Sequence, residues 1–90
     1  MKKCIITVVG KDTVGILAKV SSKCAQYNAN VIEVTQSILQ DLFCMIMLVD
    51  LSKLNEPFAE LADAMTQLGK EENLSIHTMH EDIFNCMHHI

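Results

Sequence analysis

The residues Val8-Val9-Gly10-Lys11-Asp12-Thr13-Val14-Gly15-Ile16-Leu17 connect two segments that differ in hydrophobic period. Residues 4–9 before them form an apolar, β-branched run, which is typical of a strand that ends at Gly10. A helical pattern begins at Gly15, and Asp12 and Thr13 can accept hydrogen bonds from the unpaired amides of its first turn. The stretch therefore predicts a strand, a short polar loop and a helix that opens at a glycine.

This loop is a candidate site for a small anionic group. The first turn of a helix presents free amides and the positive end of the helix dipole. Gly15 has no side chain, so a ligand can approach the backbone closely at that position. The alternative is an ordinary capped helix start with a glycine beside it, and the sequence leaves both interpretations open.

Composition narrows the class of protein. The chain has 90 residues, half of them hydrophobic, which suits one domain with a small core. Its net charge is −4, and all seven basic residues are lysines. We expect no nucleic-acid partner, because nucleic-acid binders cluster basic residues and interleave them with aromatic ones. Without arginine, an anion must be bound by backbone amides or a lysine.

The apolar runs are too short to span a membrane, because Lys11, Lys19, Asp41, Asp50 and Glu56 interrupt them. The start of the chain does not resemble a targeting segment, so we expect a cytoplasmic protein without a membrane partner. The four cysteines are widely spaced and form no C-x-x-C pair, which indicates reduced thiols. Cys4, Cys24 and Cys44 lie within apolar patterns, where cysteine behaves as a small buried hydrophobe.

The first half of the chain continues with a helix and two strands. Helical spacing places Leu17, Val20, Cys24 and Tyr27 on one face, and residues 28–30 are expected to end this helix. Residues 31–39 alternate as a half-exposed strand, with Ile32, Val34 and Ile38 on its apolar face together with one polar residue, Gln36. After a tight turn at residues 40–41, the wholly apolar residues 42–49 predict a central strand covered on both faces.

The second half repeats the order of elements. Pro57 suits the first turn of a helix, with Asn55 or Glu56 as its cap and Gly69 as its stop. Residues 74–80 alternate as a weaker strand, and residues 83–90 carry apolar side chains at helical spacing. The pattern predicts an α+β fold, a ferredoxin-like βαββαβ sandwich with two helices on one face of a four-stranded antiparallel sheet and a short C-terminal helix. The terminal helix, a partner subunit or both would have to cover the second face.

The stretch Val-Gly-Lys-Asp-x-x-Gly-Ile-Leu, followed by Asn28-x-Asn30-Val31-Ile32, resembles the ACT domain. The family's D-x-x-G-I/L signature is matched by Asp12, Gly15, Ile16 and Leu17. The likeness predicts one ACT domain over residues 1–80 and a helical tail over residues 81–90, as in small stand-alone bacterial ACT-domain proteins.

The resemblance implies a regulatory ligand-binding module, not an enzyme, that forms a homodimer and binds an amino acid or a related small molecule. In the family, the ligand usually lies between the first loop of one subunit and the second strand of its neighbour. By position, this implies a site formed by Asp12, Thr13, Val14, Gly15, Ile16, Asn30, Val31 and Ile32. No attached catalytic or DNA-binding domain is evident, so the regulated protein is expected to be a separate chain. No cofactor and no catalytic residue are implied.

Two other functions remain open from the residues themselves. His77, His80, Cys86, His88 and His89 concentrate near the C-terminus, which suggests a metal site. However, no pair of them has the i, i+4 spacing of a helical zinc site, so we expect none. The chain could also be a structural oligomer without a ligand, in which Gln36 on an apolar face would bond to the backbone or to a partner.

Overall fold

A computed structural model describes residues 2–11 and 14–82 of the chain. The elements follow in the order β1 (Lys3–Lys11), α1 (Ile16–Gln26), β2 (Asn30–Leu39), β3 (Leu42–Asp50), α2 (Phe58–Glu72) and β4 (Ser75–His80). This order confirms the predicted βαββαβ fold. Of the helical tail predicted over residues 81–90, Glu81 and Asp82 are described and are helical, and residues 83–90 lie outside the described residues. None of the helices that the structure describes is long and apolar enough to span a bilayer.

The four strands form one antiparallel sheet in the order β2-β3-β1-β4. At one end of the sheet, which we call the Lys3 end, Lys3 lies opposite Asp50, and Asp50 lies opposite Asn30. At the other end, the Lys11 end, Lys11 lies opposite Leu42, and Leu42 lies opposite Leu39. The start of β2 and the end of β1 are therefore at opposite ends of the sheet.

The core fills the space between the sheet and the two helices. Strand residues alternate between the faces of a sheet, so every second residue of β1 and β3 points towards the helices. Val20 of α1 and Leu61 and Met65 of α2 pack against them and are fully buried. The strand residues that complete the core are Cys4, Ile6, Val8, Met45, Met47, Val49 and Ile76.

The other face of the sheet, which we call the outer face, carries no helix among the described residues. Within one chain, part of the outer face of β3 is therefore uncovered by the described residues, and its cover by the terminal helix or a partner subunit stays a prediction. Ile46 is 43% exposed and Leu42 is 37% exposed, whereas Ile5 on the same face is only 6% exposed. Both helices pack on the opposite face. An uninterrupted apolar run such as β3 therefore does not indicate that helices cover both faces of the strand.

The first helix buries most of the predicted stripe, since Val20 and Cys24 are buried and Tyr27 packs against the core, but Ile16 takes the place of Leu17. Ile16, Val20 and Cys24 are its buried residues, while Leu17 is 39% exposed. The helix begins at Ile16 and not at Gly15, which places Ile16 over the sheet. It ends as expected, because Asn28 adopts the left-handed conformation with a φ of 57°.

Two glycines that were predicted to end elements lie inside them. β1 continues through Gly10 to Lys11, and a Cβ at Gly10 would collide with Cδ2 of Leu74. Gly69 is buried within α2, and a Cβ there would lie 2.7 Å from the backbone oxygen of Leu74. Both glycines permit the chain at Leu74 to pack closely, and Asn73, with a φ of 58°, ends α2.

The start of α2 also differs from the prediction. Pro57 occupies the N-cap position without a side-chain capping hydrogen bond, so neither Asn55 nor Glu56 is the cap. The Asn55 side chain instead donates a hydrogen bond from Nδ2 to the carbonyl of Gln26, at 3.1 Å. This bond attaches the loop before α2 to the end of α1.

A bulge between Val31 and Glu33 changes the faces of β2. Val31 and Val34 pack against the core, while Ile32 is 45% exposed. The prediction that Ile32 shares an apolar face with Val34 is therefore wrong, because the extra residue of a bulge shifts the alternation. Gln36 is exposed, so its amide needs no buried hydrogen-bond partner.

Candidate functional site

The connection between β1 and α1 is the first half of the predicted site. Of its residues, the structure describes Val14, which is 92% exposed, and Gly15, which is the N-cap of α1. Asp12 and Thr13 lie outside the described residues, so their predicted capping and ligand contacts stay predictions. We call this segment the Gly15 connection.

Gly15 has the geometry that the ligand hypothesis needs. Its φ of 81° and ψ of 16° are left-handed, a conformation that residues with a Cβ rarely adopt. A Cβ built at this position would meet no atom within 4 Å, so the space beside it is open. The glycine is thus required by its backbone conformation and also leaves room for a ligand.

The first turn of α1 supplies amides beside this space. The Lys19 N–H donates the first helical hydrogen bond to the Gly15 carbonyl, at 3.0 Å. The amides of Ile16, Leu17 and Ala18 precede it and have no partner within the helix itself. Ile16 can offer only its amide, because its side chain is 3% exposed and belongs to the core. Any contact of Ile16 with a ligand would therefore be made by its backbone, and its predicted place in the site stays a prediction.

The start of β2 is the second half of the predicted site. Asn30 is exposed, whereas Val31 is partly buried against the core and cannot present its side chain to a ligand on the surface. Ile32 turns outward at the bulge. Val31 could therefore contribute only its backbone, whereas the side chains of Asn30 and Ile32 are accessible, and the predicted role of all three residues stays a prediction.

Within one chain, the structure does not bring these two halves together. The Gly15 connection follows the Lys11 end of the sheet, and Asn30 lies at the Lys3 end. β2 has ten residues, and at about 3.3 Å per residue it separates the ends by roughly 30 Å. One small molecule cannot contact both halves of the same chain.

Asn30 borders a pocket of about 530 Å³ that the sequence did not reveal. Its lining residues come from the end of α1, the start of β2 and the end of β3 with its following loop: Ala25, Asn28, Ala29, Asn30, Asp50 and Lys53. The side chain of Asn28 donates a hydrogen bond from Nδ2 to the Lys53 carbonyl, at 2.8 Å. No sequence signal connects residue 50 with residue 28, because only the strand register places them together.

Asp50 is the acidic group of this pocket. Its Oδ1 accepts hydrogen bonds from the Ser52 amide at 2.9 Å and from the Ser52 hydroxyl at 2.7 Å. These two bonds lower the pKa of the carboxyl below its ordinary value, and Lys3 adds a weaker Coulombic attraction. Asp50 is therefore a fixed negative charge at neutral pH.

The histidines do not form a metal site in the part of the chain that the structure describes. His77 lies on the outer face, and His80 lies on the helix side, stacked on Phe58 with ring centroids 4.2 Å apart. No group of three histidine, cysteine or carboxylate residues converges among residues 2–11 and 14–82. Cys86, His88 and His89 lie outside those ranges, so the tail's part in the metal hypothesis is not described.

The thiols that the structure describes are not bonded to each other. Cys4 and Cys24 are fully buried, as predicted, and Cys44 is half-buried. Burial raises the pKa of the Cys4 thiol to about 12, with a smaller contribution from the nearby Cys24, and burial raises the pKa of Cys24 to about 11. Such thiols stay protonated and act as packing groups.

Comparison with known proteins shows the family. Residues 2–79 match the family model of the ACT domain. This chain belongs to the ACT domain family. A UPF0237 protein of Methanococcus maripaludis is 48% identical over 90 residues, which is the full length of both chains. The solved structure of an ACT domain protein from Streptococcus pneumoniae superposes with a TM-score of 0.80 and 36% identity, over 92% of this chain and 93% of that one.

The ACT fold also occurs within larger regulatory proteins. The regulatory subunit of aspartate kinase from Thermus thermophilus matches with a TM-score of 0.64 and 21% identity, over 86% of this chain and 50% of that one. A similarity at this identity shows the fold alone. ACT domains as a family are small-molecule-binding regulatory modules, and this description applies to the chain at that level.

Proposed function

We propose that this protein is a stand-alone regulatory module that binds an amino acid between two copies of the chain and thereby acts on a separate protein. The observation that carries the proposal is the position of the two half-sites, at opposite ends of the sheet. A second copy is needed to bring an Asn30 segment to a Gly15 connection. The site is therefore a property of the dimer.

The outer edge of β2 is suited to pairing with a second copy. Among the described strands, β2 is at the end of the sheet and pairs only with β3, so no described strand pairs with its other edge. Ile38 and Leu39 on this strand are 68% and 72% exposed. Long apolar edge strands pair readily with another chain, which is why monomeric proteins usually protect them.

Antiparallel pairing of two β2 strands about a two-fold axis would complete the site. In that arrangement, Asn30 of one copy lies beside Leu39 of the other. Leu39 is at the Lys11 end, where the Gly15 connection begins. Each half-site thus meets its complement, and the dimer has two equivalent ligand sites.

The chemistry of the Gly15 connection favours a carboxylate. The amides of the first turn have no partner within α1, and they lie with the positive end of the α1 dipole next to Gly15, beside which a Cβ would meet open space. The chain has no arginine that could serve instead. The full-length match to the Methanococcus relative supports a module that acts without an attached domain.

The test combines assembly and binding. We expect sedimentation at micromolar concentration to show a dimer, and one or more of the twenty common L-amino acids to raise its Tm. Ile38→Lys places a charge on the β2 edge and should yield a monomer without that ligand shift. Ala59→Lys changes an exposed residue of α2 and should leave both unchanged.

Gly15→Asn tests the half-site itself. Asparagine tolerates the left-handed conformation better than other residues with a Cβ, so the variant should fold and dimerise. Its side chain fills the open space, so the amino-acid shift should disappear. A monomeric wild type, or a ligand shift that survives in folded Gly15→Asn, overturns the proposal. A dimer that responds to no amino acid points to the structural oligomer instead.

A further inference from the structure

The pocket at the Lys3 end contains both signs of charge. Asp50 supplies a carboxylate, Lys53 supplies an ammonium group, and Asn28 and Asn30 supply carboxamides. Its volume of about 530 Å³ lies within the range of about 300–1,000 Å³ that small-molecule sites occupy. A ligand that fits this lining carries a positive and a negative group close together.

The two charged groups are available to a ligand. Both hydrogen bonds from Ser52 go to Oδ1 of Asp50, and no hydrogen bond from the described residues reaches Oδ2. Among the described residues, the ion pair of the structure joins Lys19 and Glu72. Asp50 and Lys53 therefore do not form an ion pair with each other. The backbone of Lys53 is held by Asn28, so the loop that carries the ammonium group is attached to α1.

Two further pockets that the described residues line lack this combination. A pocket of about 420 Å³ beside Tyr27 is lined by Glu56 and Glu60 without a cation. A pocket of about 640 Å³ at the Lys11 end contains Lys11 and Glu72, but Glu72 is already bound to Lys19 at 2.5 Å. Of these three pockets, the one at the Lys3 end offers a carboxylate and an ammonium group that form no ion pair with each other.

We propose that Asp50 and Lys53 bind the ammonium and carboxylate groups of a zwitterionic α-amino acid, and thus set the ligand class of this protein. The inference rests on the proposed function, because Asn30 belongs both to this pocket and to the half-site that the dimer brings to the Gly15 connection. Asp50 accepts hydrogen bonds from the ligand ammonium through Oδ2. Lys53 donates to the ligand carboxylate, which the partner's first-turn amides approach from the other side.

Two charge-removing variants test these roles separately. Asp50→Asn removes the negative charge and keeps an Oδ1 that accepts the Ser52 amide, so the turn is preserved. Lys53→Gln removes the positive charge and leaves the backbone carbonyl that Asn28 uses. Asp63→Asn and Lys70→Gln, at exposed positions of α2, are the matched controls.

The probes are the twenty common L-amino acids, and for each that binds, its deaminated acid and its decarboxylated amine. Calorimetry on the full-length protein should show that the amino acid binds more tightly than either analogue. Asp50→Asn should weaken amino-acid binding about tenfold to hundredfold and leave binding of the deaminated acid unchanged. Lys53→Gln should weaken both of these ligands and leave binding of the amine unchanged.

The outcomes separate this inference from the proposed function. If the wild type binds an amino acid and both variants bind it with unchanged affinity, the Asp50–Lys53 assignment is wrong while the dimer site stands. If the wild type binds the deaminated acid as tightly as the amino acid, the zwitterion is not the ligand class. A wild type that binds none of the probes overturns both proposals.

Discussion

Gly69→Ala should destabilise the protein, although the same change stabilises most helices. Gly69 lies in the last part of α2, where an alanine normally gains about 1 kcal/mol over glycine. Here the added Cβ would lie 2.7 Å from the Leu74 backbone oxygen and 3.4 Å from Cγ1 of Ile76. The first distance is shorter than real Cβ contacts, so either α2 or the start of β4 must move.

The movement has a second consequence at the same place. The Leu74 N–H donates a hydrogen bond to the Gly69 carbonyl, at 2.7 Å, and this bond forms part of the cap of α2. Separating the two segments stretches it. Overpacking of this kind costs about 1–3 kcal/mol, which exceeds the gain in helix propensity. We expect a net loss of roughly 1 kcal/mol in the free energy of unfolding, or about 4–8 °C in Tm.

Urea unfolding and thermal melts of the variant and wild type measure this effect. Gln67 is an exposed position of the same helix, so the difference between Gln67→Ala and Gln67→Gly gives the propensity term alone. That pair should favour alanine by about 1 kcal/mol, opposite in sign to the effect at Gly69. A Gly69→Ala protein as stable as wild type, or more stable, would refute the packing argument.

Two further predictions concern titratable groups. When the folded protein is treated with iodoacetamide at pH 8, peptide mass spectrometry should find half-buried Cys44 alkylated well before Cys4 and Cys24. The reason is that a pKa of about 12 leaves roughly one Cys4 thiol in ten thousand as the reactive thiolate. Labelling of Cys4 as fast as Cys44 in the folded protein would contradict this. Because folding lowers the pKa of Asp50, its charge stabilises the protein above the ordinary pKa of about 3.9, and that contribution is lost as the pH falls through the folded value. Asp50→Ala should therefore be less stable than wild type to urea at pH 7, with a gap that narrows below pH 4, and a gap independent of pH would show that the charge contributes nothing.

The order of the elements and the core could be predicted because an element that buries one face carries its apolar residues at the period of a helix or a strand. This period is visible within a short stretch of sequence. Val20 and Cys24 are helical neighbours, and both are buried as expected. Ile76 and His77 alternate between faces of β4 as the period of a strand requires. The left-handed Asn28 also ends α1 as its short polar side chain predicts. These features depend on a few consecutive residues.

The site could be predicted only in part. The sequence placed Gly15 before a helix, and its left-handed backbone by itself accounts for a glycine there, while its role in ligand binding stays a prediction. Asp50 and Lys53 were not identified, because their proximity to Asn28 and Asn30 follows from strand order and register. The face of Ile32 was predicted wrongly, since a bulge leaves no mark in the alternation of apolar residues.

The sequence by itself determined the fold class, the helix and strand periods and the family signature, because these arise from local sterics and from which side chains must avoid water. Only the tertiary structure decided why Gly69 is a glycine, since a Cβ there would meet the backbone oxygen of Leu74 across the fold. It also decided that the two half-sites lie at opposite ends of the sheet. Contacts between distant segments depend on register and close approach, and no local pattern of residues encodes either one.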